Sequence, residues 1–152
     1  MALIKDFQAY LQDIMSHIEG INSLRIVTEE AQMSKFIKEH TASRNVLLLA
    51  VMPNFGNNSP TSGDAYQDRA FSEIQLLKKT SYQDLPYDKF LEDYDEIFAL
   101  IQEVKKKLLA DHLNGTCNLV RLLDPSSFIT EDVYNLHQCN GWKLVFSFDV
   151  TL

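Results

Sequence analysis

Cysteine and histidine are the residue types in this chain that could supply a nucleophile and its base. Cys117 and His137 both lie in the C-terminal third of the 152 residues, where folding could bring a thiol and an imidazole together. A reactive thiol, however, needs a polarised and accessible setting, and the residues around Cys117 supply no such signal. We therefore interpret the pair as a buried structural cysteine beside a histidine whose ring is satisfied by hydrogen bonds.

Metal-ligand spacing is absent from the sequence. The four histidines, His17, His40, His112 and His137, are scattered along the chain, and no CxxC or Cys/His ligand pattern exists. We expect each histidine at the surface or at the rim of the core. Cys117 and Cys139 are the two cysteines of the chain. Two thiols in a chain of this size fit a reducing compartment, in which we expect them to be inert. We predict no metal site and no cofactor.

A run of carboxylates, Glu92, Asp93, Asp95 and Glu96, could suggest metal binding or acid–base chemistry. On a helix, most of these side chains lie opposite the apolar stripe of the same helix, which predicts a solvated face. No glycine pattern of a phosphate-binding loop accompanies them. The sequence therefore predicts no catalytic residue, and we expect a chain that is not an enzyme.

Net charge and hydropathy exclude several kinds of partner. The formal net charge of −7 lacks the basic footprint that binding of a nucleic-acid backbone needs, and it disfavours anionic membrane surfaces. The longest apolar run, 46–52, is far too short to cross a bilayer, and residues 1–6 lack the order of a signal peptide. We therefore expect protein partners in the cytoplasm, with no nucleic acid, no membrane and no identified small-molecule substrate.

The elements that must position these residues follow from hydrophobic periodicity. Spacings of three and four predict an N-terminal helix over 3–19 and a long helix over 86–112, whose acidic start and basic end suit the helix dipole. Because the strands come in blocks, we predict one α+β domain over 1–152, with helices packed on one face of a single, mostly antiparallel sheet of about four to six strands. The remaining predicted elements are a short helix at 29–40 and strands at 24–28, 46–52, 71–79, 117–123, 128–139 and 142–152.

The last predicted strand has the clearest hydrophobic pattern in the sequence. Over 142–152, large apolar residues alternate with polar ones, which is the period of a half-buried strand. Asn140-Gly141 is typical of a two-residue hairpin turn. That turn would place Asp132 opposite Asp149, and like charges in that position are unfavourable. We expect a bulge in the register, a frayed hairpin end, or an edge that meets something else.

A polar stretch follows the apolar strand at 46–52. Asparagine, glycine and serine dominate residues 54–64, which predicts a long flexible loop over 53–69. Loops of that length are usually functional or mobile. A disordered hairpin connection is one interpretation and a protein-contact site is the other. The candidate contact residues are Asn54, Phe55, Asn57, Asn58, Asp64, Tyr66 and Arg69.

The order of elements over residues 44–152 resembles the tail-terminator and tail-completion proteins of long-tailed bacteriophages. The shared features are a central strand at 46–52, a long loop, a second strand at 71–79, a long helix at 86–111 and a closing Asn-Gly-Trp strand. This resemblance implies a non-enzymatic structural subunit that closes into a hexameric ring and contacts tail-tube or head-joining proteins, with the loop as a contact region. It also implies a homo-oligomer and a virion-associated location, whereas the first forty residues depart from the simplest such proteins.

Two other functions remain open from the sequence. One is an adaptor or binding module for an unknown partner that forms no ring. The other is a small ligand-binding domain or enzyme with a pocket between the long helix and the sheet. A particle mass several times 17.5 kDa would separate a ring from an adaptor. A closed pocket with convergent titratable groups would favour a ligand-binding domain or enzyme.

Overall fold

The computed structural model describes residues 3–28, 30–40, 46–57, 67–79, 86–136 and 138–151. These residues form one five-stranded sheet with helices on both of its faces. In chain order the elements are α1 (Leu3–His17), β1 (Ile21–Val27), α2 (Glu30–Glu39), β2 (Val46–Asn57), β3 (Gln67–Lys79), α3 (Tyr87–Asn114), α4 (Asn118–Arg121), β4 (Leu123–Leu136) and β5 (Cys139–Thr151).

The sheet has the order β1-β2-β3-β5-β4. β1 and β2 run parallel, and every other neighbouring pair is antiparallel. The predicted α+β class, with a mostly antiparallel sheet backed by a long helix and an N-terminal helix, is confirmed. β1 and β4 are the two edge strands, so each pairs with one neighbour among the described strands.

We call the face of the sheet that α1 and α3 cover the inner face. It carries the larger core, because the apolar stripes of both helices meet the alternating apolar residues of the strands there. The predicted apolar row of the last strand is confirmed, since Leu144, Phe146 and Phe148 are all buried, whereas Ser147 of the polar row is buried as well, at 1% exposed. Fully buried members from the helices include Phe7, Leu11, Ile14, Ile97, Ile101, Val104 and Leu108.

We call the opposite face the outer face, and α2 packs against part of it. Ile37 of α2 belongs to one buried cluster with Leu47, Leu49 and Leu77. The prediction that the helices pack on one face is therefore wrong for α2. The physical reason lies in β2, whose continuous apolar run points to both faces and needs cover on both.

Residues 117–123, predicted as a strand, instead contain α4. Gly115 adopts a left-handed conformation with φ of 61° and ends α3, so the chain reverses at once. Leu119 and Val120 are adjacent in sequence and both buried. A strand would send two successive side chains to opposite faces, whereas one helical turn lets both enter the same core.

The final hairpin turns at a different place from the predicted one. Leu136 pairs with Cys139, and Gln138 between them has a positive φ of 66°. Asn140 and Gly141 lie within β5 rather than in the turn. An Asn-Gly step is typical of a turn, but here the sequence needs a glycine for a close approach inside the sheet, as shown below.

This shift of the turn removes the charge conflict expected from the sequence. Asp132 pairs with Trp142, not with Asp149. The backbone N–H of Asp149 donates to the carbonyl of Leu122 over 2.8 Å, and its carboxylate lies 3.1 Å from Nε of Arg69. Of the three alternatives that the sequence left open, a bulge in the register is observed, because the β4–β5 register shifts in two places.

Candidate protein-interaction surface

The outer face is open toward β4. Phe71 of β3 is 47% exposed and Ile129 of β4 is 54% exposed, although both are large and apolar. Val145 of β5 pairs with Ile129 and is half-buried. We call Phe71, Val145 and Ile129 the outer patch. These residues share one face because the register places Phe71 opposite Ser147, two residues beyond Val145.

One border of the outer patch is a row of charges across three strands. Nζ of Lys143 lies 3.9 Å from the Glu73 carboxylate and 3.1 Å from the Glu131 carboxylate. Two carboxylates therefore share one ammonium group, which leaves the row with a net negative charge. An exposed apolar patch with a polar rim is typical of a protein-interaction site.

A second charged group borders the patch near Phe71. Arg69 places Nε 3.1 Å from Asp149 and Nη2 3.6 Å from Asp124. The Ser126 hydroxyl donates to Asp124 over 2.6 Å. That hydrogen bond, with the backbone N–H of Ser126 and the Arg69 charge, lowers the pKa of Asp124. This corner of the outer face is therefore ordered and charged.

The predicted contact residues are divided between strands and the part of the chain that is not described. The predicted loop at 53–69 is wrong at both ends, because β2 continues through Asn57 and β3 begins at Gln67. A register shift between Val51 and Asn54 accommodates Pro53 without ending the strand. Asn54 pairs with Phe71, and Phe55, Asn57 and Arg69 also lie on these strands, whereas Asn58, Asp64 and Tyr66 lie outside the described residues.

β4 forms one edge of the sheet, and much of that edge is irregular. Its pairing with β5 shifts between Asp124 and Ile129 and again between Val133 and Leu136. Pro125 lies within the first irregular segment. Prolines and bulges protect an edge from further pairing. The segment 129–133 is regular on its β5 side, and no other described strand pairs with its outer edge.

β1 forms the opposite edge, and a groove runs beside it. The groove holds about 580 Å³ and is lined by Gln8, Gln12 and Met15 of α1 and by residues 22–26 of β1. The edge is therefore open on the side of α1, and the groove has room for side chains of an added strand. Arg25 is exposed on this edge, with its guanidinium 5.6 Å from the ring centre of Phe36.

The densest group of titratable side chains lies elsewhere, between α1 and α3. The Tyr10 hydroxyl donates to Asp111 over 2.7 Å. Nζ of Lys107 lies 2.9 Å from carboxylate oxygens of both Asp111 and Asp13, and Thr116 donates to Asp111 over 3.4 Å. A shallow crevice of about 570 Å³ adjoins the group. Its contacts tie the N-terminal helix to the end of the long helix.

The pKa values of three side chains in this group are shifted away from neutral pH. Burial and then the Asp111 carboxylate raise the pKa of Tyr10 far above its usual value. Burial disfavours the charged forms of Asp111 and Lys107, but their hydrogen bonds outweigh it, so the pKa of Asp111 is lowered and that of Lys107 is raised. General acid–base catalysis works best with a pKa near the working pH. These three shifts favour a structural role for the group.

The sequence also suggested a pocket between the long helix and the sheet. Only a narrow crevice with almost no space for a water molecule lies there, and Nζ of Lys78 is 3.2 Å from the Asp93 carboxylate beside it. Asp93 is 6% exposed, so its predicted place on a solvated face is wrong. Burial disfavours the Lys78 charge, but hydrogen bonds and the charges of Asp93 and Glu96 outweigh it and raise the pKa. The ion pair lines the crevice.

Gly141 allows β5 and β3 to approach each other closely beside this crevice. A Cβ atom on Gly141 would collide with the backbone carbonyl of Leu76 and would lie 3.3 Å from Cγ2 of Ile97 on α3. Beside it, the Trp142 indole N–H donates to the carbonyl of Tyr94 over 3.0 Å. The Tyr94 hydroxyl donates to the carbonyl of Val133 over 2.8 Å. These contacts fix α3 on β4 and β5.

The cysteines and histidines form no chemical site among the residues described. Cys139 is buried, and burial raises the pKa of its thiol to about 11, which fits the predicted inert thiol. Cys117 is half-buried, and His137, its hypothetical base, lies outside the described residues. No group of three or more histidine, cysteine or acidic side chains in the described ranges could hold a metal ion.

The other histidines occupy different environments. His17 is exposed and lies 3.0 Å from the Asp13 carboxylate, as predicted for a surface residue. Nδ1 of His112 lies 2.8 Å from the carbonyl of Val120 at the rim of the core. His40 is 3% exposed, so its predicted place at the surface or rim is wrong. Its backbone N–H donates to the carbonyls of Phe36 and Ile37 and so completes the last turn of α2.

Neither a scan against protein-family models nor a search of curated proteins returned a match to this chain. No helix in the described ranges is both long enough and apolar enough to cross a membrane. The function must therefore be inferred from the outer patch, the two sheet edges and the charges around them.

Proposed function

We propose that this chain is a non-enzymatic assembly subunit that binds other protein chains, first of all copies of itself. The role resembles that of the ring-forming tail-terminator subunits of long-tailed phages. The observation that carries the proposal is the outer patch. Phe71 and Ile129 are about half exposed, at 47% and 54%, and their charged border is typical of a surface that another protein covers.

Self-association is favoured by the two open edges of the sheet. An unprotected edge strand is a liability that proteins usually remove by pairing or cover. A head-to-tail contact between the two edges of neighbouring copies consumes both edges at once, and a ring is the closed form of such a contact. The net charge of −7 also suits protein partners better than nucleic acid. In this role the chain acts in the cytoplasm or, once assembled, in a virion.

The distribution of titratable groups favours assembly over catalysis. The group around Tyr10 and Asp111 links two helices, and its pKa values are shifted away from neutrality. The Lys78–Asp93 pair lines the crevice between α3 and the sheet. In both places the charged groups are bound to one another, so they are poorly placed to act on a substrate.

A second function is favoured by one specific observation. The groove of about 580 Å³ beside β1 is open to an extended segment of another protein, which could pair with the edge as an added strand. In that case the chain is an adaptor that binds a peptide and does not associate with itself. The two functions differ in the mass of the purified chain in solution.

Light scattering coupled to size exclusion separates them. The proposed function predicts a particle several times heavier than 17.5 kDa, whose mass falls on dilution. Combined Phe71→Ser and Ile129→Thr substitutions are expected to lower the assembled fraction without lowering the melting temperature. Leu113→Ser is the matched control, because Leu113 is apolar and 83% exposed on α3. A wild-type chain that stays at monomer mass at all concentrations would contradict the assembly role.

A further inference from the structure

We infer that copies of this chain join edge to edge, with β4 of one copy paired antiparallel to β1 of the next copy. This inference rests on the proposed self-association and names the surfaces that carry it. Both edges belong to one sheet, so the contact is head-to-tail and each copy uses two different surfaces. The partner is therefore a second copy of the same chain.

Strand direction is the first argument. β1 and β2 run the same way, β3 runs opposite, β5 runs with β1 and β4 runs opposite again. If the next copy continues the sheet with its inner face on the same side, its β1 runs antiparallel to β4. Antiparallel pairing is slightly more stable per residue than parallel pairing. The topology therefore prepares the two edges for each other without any rearrangement.

The regularly paired segments of the two edge strands have the same length. On β4 the regular segment is Ile129–Val133, because bulges and Pro125 disrupt the rest. On β1 the regular segment is Ser23–Val27, because its register with β2 shifts between Ile21 and Ser23. A strand pair of that length can form without meeting an irregular stretch on either side.

The two edges also carry opposite charges at matching positions. Arg25 and Glu131 both point to the outer face, as their register partners Leu49 and Lys143 show. Opposite pairing of Arg25 with Glu131 of the next copy would extend the row Glu73–Lys143–Glu131 to four alternating charges. Arg25 is exposed on this edge, and its guanidinium donates to the carbonyl of Leu24 over 3.0 Å. Opposite charges directly across an antiparallel pair are stabilising.

The same register suits the remaining side chains. On the outer face it places Val27 opposite Ile129, so the apolar Ile129 side chain gains cover at the junction. On the inner face it places Leu24 opposite Asp132, beside the groove lined by Gln8 and Gln12. The amide groups of these glutamines are hydrogen-bond donors for a carboxylate. The groove of about 580 Å³ therefore receives the polar side chain that the junction brings to it.

Pairing of like edges is disfavoured by the same charges. Two copies of β4 would bring the adjacent acids Glu131 and Asp132 of one copy against those of the other. Two copies of β1 centred on Arg25 would oppose two guanidinium groups. Like charges directly opposite each other destabilise a strand pair. The sequence of the edges thus selects β4 with β1 over either symmetric contact.

Charge reversal tests the junction. Arg25→Glu and Glu131→Lys should each weaken self-association about tenfold, which corresponds to about 1.4 kcal/mol. An equimolar mixture of the two variants should restore assembly, because alternating copies then present opposite charges at every junction. Lys106→Glu is the matched control, since it makes the same type of charge change at a position that is 73% exposed on α3. Analytical ultracentrifugation gives the masses, and circular dichroism checks folding.

The outcomes separate this inference from the proposed function. If the wild-type chain assembles and both single variants assemble equally well, the edge junction is wrong while the assembly role stands. If the single variants dissociate but their mixture does not reassemble, the Arg25–Glu131 register is wrong. If the wild-type chain is monomeric at every concentration, the proposed function fails and the junction fails with it. Restoration in the mixture supports the junction.

Discussion

The two faces of this sheet have opposite characters. On the inner face, Phe146 and Phe148 are each 1% exposed beneath α1 and α3. On the outer face, Phe71 lies on the adjacent strand and is 47% exposed. The same residue type on neighbouring strands thus meets two different environments. The inner face therefore carries the larger hydrophobic core, whereas part of the outer face is exposed, and the proposed assembly uses that exposed part.

A charge placed on each face is the strongest way to break this comparison. Phe146→Asp is expected to unfold the chain, because a buried carboxylate without a partner costs about 4 kcal/mol or more. Phe71→Asp, the matched substitution on the outer face, is expected to cost about 1 kcal/mol or less. Urea unfolding followed by tryptophan fluorescence measures both. Equal losses of stability in the two variants would show that the faces are not distinct.

A single methyl group tests the close packing of the inner face. Gly141→Ala is expected to destabilise the chain by about 3 kcal/mol, because its Cβ would collide with the carbonyl of Leu76. Gly115→Ala is the control: its φ of 61° predicts a cost of about 1 kcal/mol from backbone strain alone. Thermal melting ranks the two variants. A Gly141→Ala protein that melts like wild type would contradict the described close approach of β5 and β3.

The Tyr10 hydroxyl makes a smaller contribution to the stability of the inner face. Tyr10→Phe removes a hydrogen bond to Asp111 and is expected to cost about 1–2 kcal/mol. Because the pKa of Tyr10 is raised in the folded chain, only the unfolded chain loses this proton near pH 10. Wild-type stability should therefore fall as pH rises above about 10. The Phe variant should lose part of that dependence, and identical alkaline profiles would argue against the hydrogen bond.

The smallest expected effect on stability comes from the outer patch, and it sharpens the comparison. Val145→Thr with Ile129→Thr is expected to change the free energy of unfolding by about 0.5 kcal/mol, as usual for surface substitutions. The same variant should associate more weakly. Paired measurements of melting temperature and particle mass separate the two properties. A large drop in melting temperature with unchanged mass would assign the patch to folding instead of assembly.

Much of the inner face could be predicted from the sequence, because its signals are local. The alternation over 142–148 and the three–four spacing along 97–108 report directly which side of a strand or helix is buried. The short helix α4 was missed, since Leu119 and Val120 are adjacent and carry no period. The extension of β2 to Asn57 was also missed, because pairing with β3 overrides its loop-like composition.

The outer patch was missed for a different reason. Phe71 and Ile129 are far apart in the sequence, and only the order of the strands brings them near Val145. Two of the predicted contact residues lie near the outer patch, since Asn54 pairs with Phe71 and Arg69 lies two residues before it on β3; their role in protein contacts stays a prediction. A role of residues 58–66 in protein contacts stays a prediction, because these residues lie outside the described ranges. The one local signal in the sequence was Phe71, a large aromatic residue in a predicted strand.

Hydrogen exchange of the edge amides tests the central claim most directly. The measurement compares amides in 23–27 and 129–133 between dilute and concentrated protein. If the edges pair between copies, both segments become protected together as concentration rises, while amides of β3 at the sheet centre stay protected throughout. Edge amides that exchange at the same rate at every concentration would contradict assembly through the sheet.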